Sequence, residues 1–326
     1  MKSNRLRDVL ISLCMAFATL VALELLLRVA DFKELRETLS EDSLKFGYDA
    51  ELGWAPVPNS SSTITTFRTT HFKHNSLGLR DEEFSLDTKP TIMFVGDSFV
   101  WGLDSEADER FSDLLKSRIP DYKILAAGVS GYGTDQEYLL LKRLWPKVKP
   151  AVVVLIFCAQ NDRLDNSSSR RYNYYQKPYF VTQPDGSLML MGQPVPRSHL
   201  LYYRDNWLAQ HLWLARLAAN VYVRLKYPQV NVPDPTEKLV GKMREFVEGN
   251  GGKFLVGIQY HDDALVSYLE QNRIPFVKLE GADAYSAEMG WGPHWTPKGQ
   301  RDVAERILRL LSANNIVNPR AAEQAK

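Results

Sequence analysis

Five short apolar runs recur through the middle and end of the chain, separated by polar stretches of helical pattern. The runs are Thr91–Val95, Lys123–Ala127, Ala151–Phe157, Lys253–Ile258 and Pro275–Lys278. Ala151 to Phe157 is apolar throughout, as expected of a strand covered on both faces. The intervening stretches Glu106–Arg118, Asp135–Leu144, Thr236–Glu248, Asp262–Gln271 and Pro297–Ser312 predict helices. Strands alternating with helices imply a parallel sheet with right-handed crossovers and helices on both faces, a three-layer α/β/α unit. Thr296 followed by Pro297 marks a helix start, with threonine as the cap and proline in the first helical position.

Three segments depart from this alternation. At the N-terminus, Lys2, Arg5 and Arg7 precede an apolar stretch from Val9 to Leu27 whose one charge is Glu24. Nineteen helical residues span roughly 28 Å, close to the hydrocarbon thickness of a bilayer. The basic flank predicts that this end stays inside the cell and the rest lies outside. Glu24 lies four residues before Arg28, so the two are expected to pair at the interface. A cleaved signal peptide is the competing reading, since Ala16-Phe17-Ala18 has the small-x-small form, but it lies inside the apolar run with no polar region before it. The second segment, 30–89, reads as a leader. It has turn residues at Pro56, Pro58, Asn59 and the serines at 60 to 62, and a threonine-rich strand candidate from Thr63 to His71. His71 and His74 are read as surface or packing residues, because no further metal ligands stand near them in sequence.

The third segment is an insertion, 165–234. It starts polar, becomes aromatic at Tyr172, Tyr174, Tyr175, Tyr179 and Phe180, and continues as a helical stretch from Leu200 to Leu225 carrying Tyr202, Tyr203, Trp207, Trp213 and Tyr222. Such aromatics suit either a sugar-binding wall or the insertion's own core. The expected organisation is thus a cytoplasmic N-terminus (1–8), a transmembrane anchor (9–29), a leader (30–89), a catalytic domain (90–315) interrupted by the insertion, and a flexible tail (316–326).

Composition changes this picture little. With 326 residues, 44% apolar and 24% charged, the chain is an ordinary folded protein. A formal charge of +1 gives no electrostatic basis for binding nucleic acid. Cys14 lies in the N-terminal run and Cys158 at the end of a buried strand. A disulfide between them is not expected, and Cys158 is read as an inert core thiol.

The candidate chemistry lies at the ends of the apolar runs. The first stops at Gly96-Asp97-Ser98, placing a hydroxyl where α/β sheets put their active sites. Gly131 follows the second run, Asn161 the third, and His294 precedes the last helix. A nucleophile, a backbone donor, an amide donor and a base are the parts needed for acyl transfer. Serine needs a neighbouring base, and His294 is the best placed of the six histidines. The expected oxyanion donors are the backbone N–H groups of Ser98 and Gly131 and the side-chain amide of Asn161. Asp97 and Asp162 are read as structural.

Gly96-Asp97-Ser98, Gly131, Asn161-Asp162 and His294 stand in the order of the four signature blocks of the SGNH (GDSL-type) esterases and acyltransferases, and the chain resembles that family from about Lys89 to Leu311. The resemblance implies a flavodoxin-like order for the central sheet and an acyl-serine intermediate, with no cofactor and no metal. Asn75-Ser76-Leu77-Gly78-Leu79-Arg80-Asp81 resembles a segment that precedes the catalytic block in membrane-anchored members. The family usually carries an aspartate two or three residues before the histidine, but Gly292 and Trp291 stand there in this chain. Glu288 is expected to replace that aspartate, with Asp283 as the alternative and a Ser98–His294 dyad as the fallback. The resemblance implies a periplasmic esterase or O-acyltransferase, held in the inner membrane by a single span, acting on acetyl esters of a cell-surface or secreted polysaccharide. The alternative expectation is a non-catalytic member that binds glycan in a polysaccharide assembly complex.

Overall fold

The computed structural model describes residues 2–36, 44–85, 89–171, 175–286 and 293–318. Helix α1 (Lys2–Ala30) is followed by two antiparallel hairpins, β1 (Phe46–Asp49) with β2 (Gly53–Pro56) and β3 (Ser61–Thr65) with β4 (Thr69–Lys73). The alternating unit then begins with β5 (Thr91–Gly96), α2 (Ser98–Trp101), α3 (Phe111–Arg118), β6 (Lys123–Gly128), α4 (Thr134–Val148), β7 (Val152–Phe157) and α5 (Asp162–Asn166). The insertion adds the short strands β8 (Arg170–Arg171), β9 (Tyr175–Gln176), β10 (Tyr179–Thr182) and β11 (Leu188–Met191), then helices α6 (His199–Asp205), α7 (Trp207–His211) and α8 (Trp213–Lys226). The unit closes with α9 (Thr236–Gly249), β12 (Lys253–Ile258), α10 (Asp263–Gln271), β13 (Phe276–Lys278) and α11 (Pro297–Ala313).

The central sheet has five strands in the order β13-β12-β7-β5-β6, all parallel. Numbered along the sheet's own sequence, this is the 2-1-3-4-5 order of flavodoxin-like folds, whose switch point lies between the first and third strands. Here those strands are β5 and β7, so Ser98 and Asn161 emerge on the two sides of that crevice. Every residue of β5 and β7 is buried, which is why both read as unbroken apolar runs. One face of the sheet packs against Leu141, Leu144, Val240, Met243 and Leu269 from α4, α9 and α10. The other packs against Phe111 and Leu115 of α3 and Val303, Ile307 and Leu311 of α11.

Several boundaries differ from the sequence expectation for local reasons. The helix expected over Glu106–Arg118 starts at Phe111, because Glu106 and Glu109 close a capping box around a single 3₁₀ turn and Arg110 is extended. The stretch Leu200–Leu225 is three helices, broken where Asn206 and Leu212 adopt extended backbone, and the Asn206 side chain caps α7 through the N–H of Ala209. Ile316 and Val317, which fall in the expected tail, are buried beside α11, and the carbonyl of Ile316 accepts from the Tyr122 hydroxyl at 2.9 Å.

The leader is closely joined to the alternating unit. Arg80, 2% exposed, donates to the carbonyls of Gly102 and Ser105 at 2.6 Å each, and to those of His71 at 3.1 Å and Trp101 at 3.3 Å. Asn75 shapes the turn before it, accepting from the N–H groups of Leu77 and Leu79. Asp81 accepts from the N–H of Ala126 in β6 at 2.8 Å. The Asn75–Asp81 segment therefore fixes the loop 101–105. His74 is fully buried against Phe72 and Trp101, and burial lowers its pKa to about 4.

Candidate active site

Ser98 opens the four-residue helix α2 directly after β5. Asp97 caps that helix through the N–H of Phe99 at 2.9 Å, and Gly102 ends it in the left-handed conformation. This tight turn packs onto the end of β6, where a Cβ at Gly128 would lie 2.2 Å from the backbone nitrogen of Trp101. The strand end must be glycine for the nucleophile's turn to sit there.

His294 comes from the loop feeding α11, whose N-cap is Thr296. Its Nε2 lies 2.9 Å from Ser98 Oγ, within hydrogen-bond distance. The ring packs against Phe99, with centroids 5.0 Å apart, and the following Trp295 packs on the same phenylalanine. Ser98 and His294 are thus held together by the hydrophobic layer beneath α11.

Of the two acids expected to face His294, only Asp283 falls among the described residues. Asp283 is engaged elsewhere: its Oδ2 accepts from the Thr296 hydroxyl and its carbonyl accepts from Thr296 N–H at 3.0 Å. A single antiparallel bridge between Ala284 and Trp295 sets this register and points the Asp283 carboxylate at the cap of α11 rather than at His294. Glu288 lies outside the described residues. The carboxylate facing Nδ1 of His294 belongs to Asp104, whose Oδ2 is 3.6 Å away. Asp104 is fully buried and has a left-handed backbone, φ 64°, on the loop that leaves the nucleophile's helix. Its other oxygen accepts from the Thr66 hydroxyl and from Phe67 N–H at 3.2 Å, both in the β3–β4 turn. Gln300 of α11 donates to the Ser105 hydroxyl at 3.0 Å and accepts from Phe111 N–H, tying the helix behind His294 to the loop that carries Asp104.

Asn161 follows β7 across the crevice. Its Nδ2 donates to Asp97 Oδ2 at 3.0 Å and its Oδ1 accepts from the Cys158 thiol. Asp97 therefore orients Asn161 as well as capping α2, and the amide retains a second N–H. Burial, with Asp97 and Asp162 nearby, raises the Cys158 pKa well above the ordinary thiol value, the opposite of what a nucleophilic cysteine needs. Gly131 has φ 84°, and a Cβ there would meet the ring of Trp54 at 3.5 Å. Trp54 also donates to the Ser130 carbonyl at 3.3 Å, and Tyr132 donates its hydroxyl to the Trp54 carbonyl. A leader residue thereby holds the Gly131 turn in place.

Below Asn161 lie Asp135, Glu137 and Asp162, all fully buried. Lys177 and Arg171 from the insertion pair with Asp135 and Asp165 respectively. Burial is the main force raising the pKa values of Asp135, Glu137 and Asp162, and neighbouring carboxylates add to it for each of the last two.

The cleft bordering Asn161 is lined by Asp165, Ser168, Arg170, Arg171, Gln229 and Asn231, among others. Leu164 and Val232 complete a lining of mixed character, in which no described aromatic residue of the insertion takes part. Phe180 and Tyr203 are buried in packing contacts, while Tyr175 packs at a tilt against Trp54, ring centroids 5.2 Å apart. Tyr172 and Tyr174 lie outside the described residues. Among the described residues, no three His, Cys, Asp or Glu side chains converge in a way that could hold a metal ion.

No protein-family model matches the chain, and no curated protein sequence matches it. Solved structures similar to it include TesA, at 16% identity and TM-score 0.37, with 68% of this chain and 98% of that chain covered. A GDSL-like lipase from Bacteroides thetaiotaomicron is 13% identical with TM-score 0.38, covering 71% and 91% of the two chains. A carbohydrate acetylesterase family member from Sinorhizobium meliloti is 13% identical with TM-score 0.36, covering 69% and 98%. The sheet order makes this a flavodoxin-like three-layer α/β/α fold, with a serine–histidine contact at its switch point.

Proposed function

We propose that the protein is a serine esterase or O-acyltransferase that works through an acyl-serine intermediate at Ser98, anchored in the inner membrane by α1 with its catalytic unit in the periplasm. The observation that carries this reading is the 2.9 Å contact between Ser98 Oγ and His294 Nε2, with the buried Asp104 carboxylate on the ring's other nitrogen.

In this mechanism Ser98 Oγ attacks the ester carbonyl carbon while its proton passes to His294 Nε2. The carbonyl oxygen becomes an anion, met by the N–H groups of Ser98 and Gly131 and the free N–H of the Asn161 amide. Asp104 stabilises the imidazolium and holds its tautomer. The tetrahedral intermediate collapses, the C–O bond to the leaving alcohol breaks, and His294 returns the proton to that oxygen. Water or a sugar hydroxyl then repeats the sequence on the acyl-serine and releases Ser98. The hydrogen-bonding side chains along the cleft beside Asn161, among them Ser168, Arg170, Gln229 and Asn231, support a hydroxyl-rich partner, an acetylated polysaccharide, as the ester carrier. The long apolar helix at the N-terminus, unburied across its length, supports the anchor.

The test is labelling of the full chain with a serine-directed fluorophosphonate, alongside turnover of acetylated model esters with and without oligosaccharide acceptors. Labelling confined to Ser98 together with ester turnover supports the enzyme. A protein that neither labels nor turns over ester, yet binds glycan, is the non-catalytic alternative.

A further inference from the structure

Helix α8 leaves an apolar stripe outside. Its buried side carries Val223 together with two polar residues, Arg216 and Asn220, 7% and 5% exposed, whereas Leu217, Val221 and Leu225 are 38%, 46% and 79% exposed. These leucines and the valine follow at spacings of four, so they form one stripe along the helix. Leu212, Leu208 and Trp207, which precede it, are also exposed. A helix on the surface of a water-soluble protein turns the other way, polar side out. The inward polar groups are satisfied here: Arg216 donates to the carbonyls of Ala209 at 2.6 Å, Leu35 at 2.9 Å and Gln210 at 3.1 Å. The sequence has therefore met the polar needs of the interior and left an apolar stripe outside. A patch of this kind marks an interaction surface.

The position of α8 identifies the partner. Its first turn is hydrogen-bonded to α1, where the Glu24 carboxylate accepts from the N–H groups of Trp213 at 3.0 Å and Leu214 at 2.9 Å. Arg28 bridges the same junction, donating to Glu24 at 2.7 Å and to the His211 carbonyl at 2.6 Å. At 1.5 Å per residue, Glu24 lies about 9 Å below the end of α1 at Ala30. The start of α8 is thus held at the level where the apolar run of α1 ends, which is the headgroup and upper acyl depth at which interfacial helices sit. Exposed Arg224 and Lys226 flank Leu225, placed for lipid phosphates, and Trp207 and Tyr222 supply the aromatic rings favoured at that depth.

We infer that α7 and α8 lie on the bilayer surface from which α1 emerges, so that the partner of this apolar face is lipid. The inference rests on the reading of α1 as a membrane span.

The test uses the full chain, with Cys14 replaced by alanine, reconstituted in vesicles of phosphatidylcholine and phosphatidylglycerol. An environment-sensitive fluorophore is attached at single positions Leu217→Cys, Val221→Cys and Leu225→Cys. Phe17→Cys serves as the control within the span and Ser187→Cys as the control in water. Cys158 is buried and stays unlabelled. All of these positions are exposed or partly exposed, so the substitutions leave the fold intact. The three α8 probes are expected to emit at shorter wavelength than the Ser187 probe and to be quenched several-fold more strongly by nitroxide-bearing lipids. Water-like emission from all three with strong quenching at Phe17 would overturn this inference and leave the anchor standing. Loss of quenching at Phe17 as well would overturn the anchor and this inference together. Apolar emission without lipid quenching, accompanied by disulfide cross-links between copies through Val221→Cys, would assign the face to a second copy and overturn it too.

Discussion

Asp104 faces Nδ1 of His294 at 3.6 Å from the loop that leaves the helix of Ser98, so Ser98 and Asp104 belong to one short stretch of chain and the histidine closes on both. The separation is in the ion-pair range and longer than a hydrogen bond. A closer approach as the imidazole takes up charge is what an acid in this position would provide.

Asp104→Asn is expected to lower kcat on acetyl esters by about a thousand- to ten-thousand-fold. Asparagine tolerates the left-handed backbone and still accepts from Thr66 and Phe67, so Tm should stay near the parent's. Asp283→Asn is the contrasting variant, expected to keep activity within a few-fold while losing part of its bond to Thr296. Full activity in Asp104→Asn would remove Asp104 from the mechanism.

Ser98→Ala should abolish both ester turnover and fluorophosphonate labelling. Alanine fits the buried start of α2 and leaves the Asp97 cap intact, so thermal unfolding should be almost unchanged. Residual turnover at the parental rate would place the nucleophile elsewhere.

Asn161→Ala should reduce kcat about a hundred-fold or more, with a smaller change in KM, since its donor acts mainly once negative charge develops. Asp97→Asn should produce a milder loss of the same kind, because Asp97 sets the direction of the amide without touching substrate. Steady-state kinetics that showed a rise in KM alone for Asn161→Ala would make the residue a ground-state contact.

Glu137 offers a test of the buried carboxyl group. Burial first, then Asp162, Asp97 and Asp135, raises its pKa well above the ordinary carboxylate range. A carboxyl raised in the folded state contributes stability below its unfolded pKa and loses it as pH climbs through the folded one. Glu137→Gln cannot ionise and escapes that loss. Its Tm relative to the parent should therefore rise between pH 5 and pH 8, by about 2–4 °C for each ~1 kcal/mol relieved. A difference in Tm that is flat with pH would mean the parent does not bury this charge.

The central sheet was legible because strands buried on both faces have little choice but to be apolar throughout. Gly96-Asp97-Ser98, Gly131 and Asn161 could be placed for a related reason: each follows such a strand by a few residues, so strand ends and site coincide. Asp104 was not legible. Its approach to His294 depends on a left-handed turn after Gly102 and on a hairpin that holds its outer oxygen, and neither leaves a periodic trace. The one available signal is an aspartate close behind the Gly96-Asp97-Ser98 block. For the tyrosines and tryptophans of the insertion the sequence left wall and core both open, since composition does not reveal which side of a helix faces inward. Phe180 and Tyr203 went into packing, while Trp207 and Tyr222 stayed outside.

The holding of Asp104 by Thr66, Phe67 and the Arg80-braced loop has a consequence for the order in which the enzyme comes into being. As the chain is synthesised from its N-terminus, the holder is made first, the serine and acid next, and the base almost last. A nascent or truncated chain that stops short of residue 294 carries a seryl hydroxyl with nothing to deprotonate it. The contact between Ser98 and His294 can therefore form only after nearly the whole chain has been made.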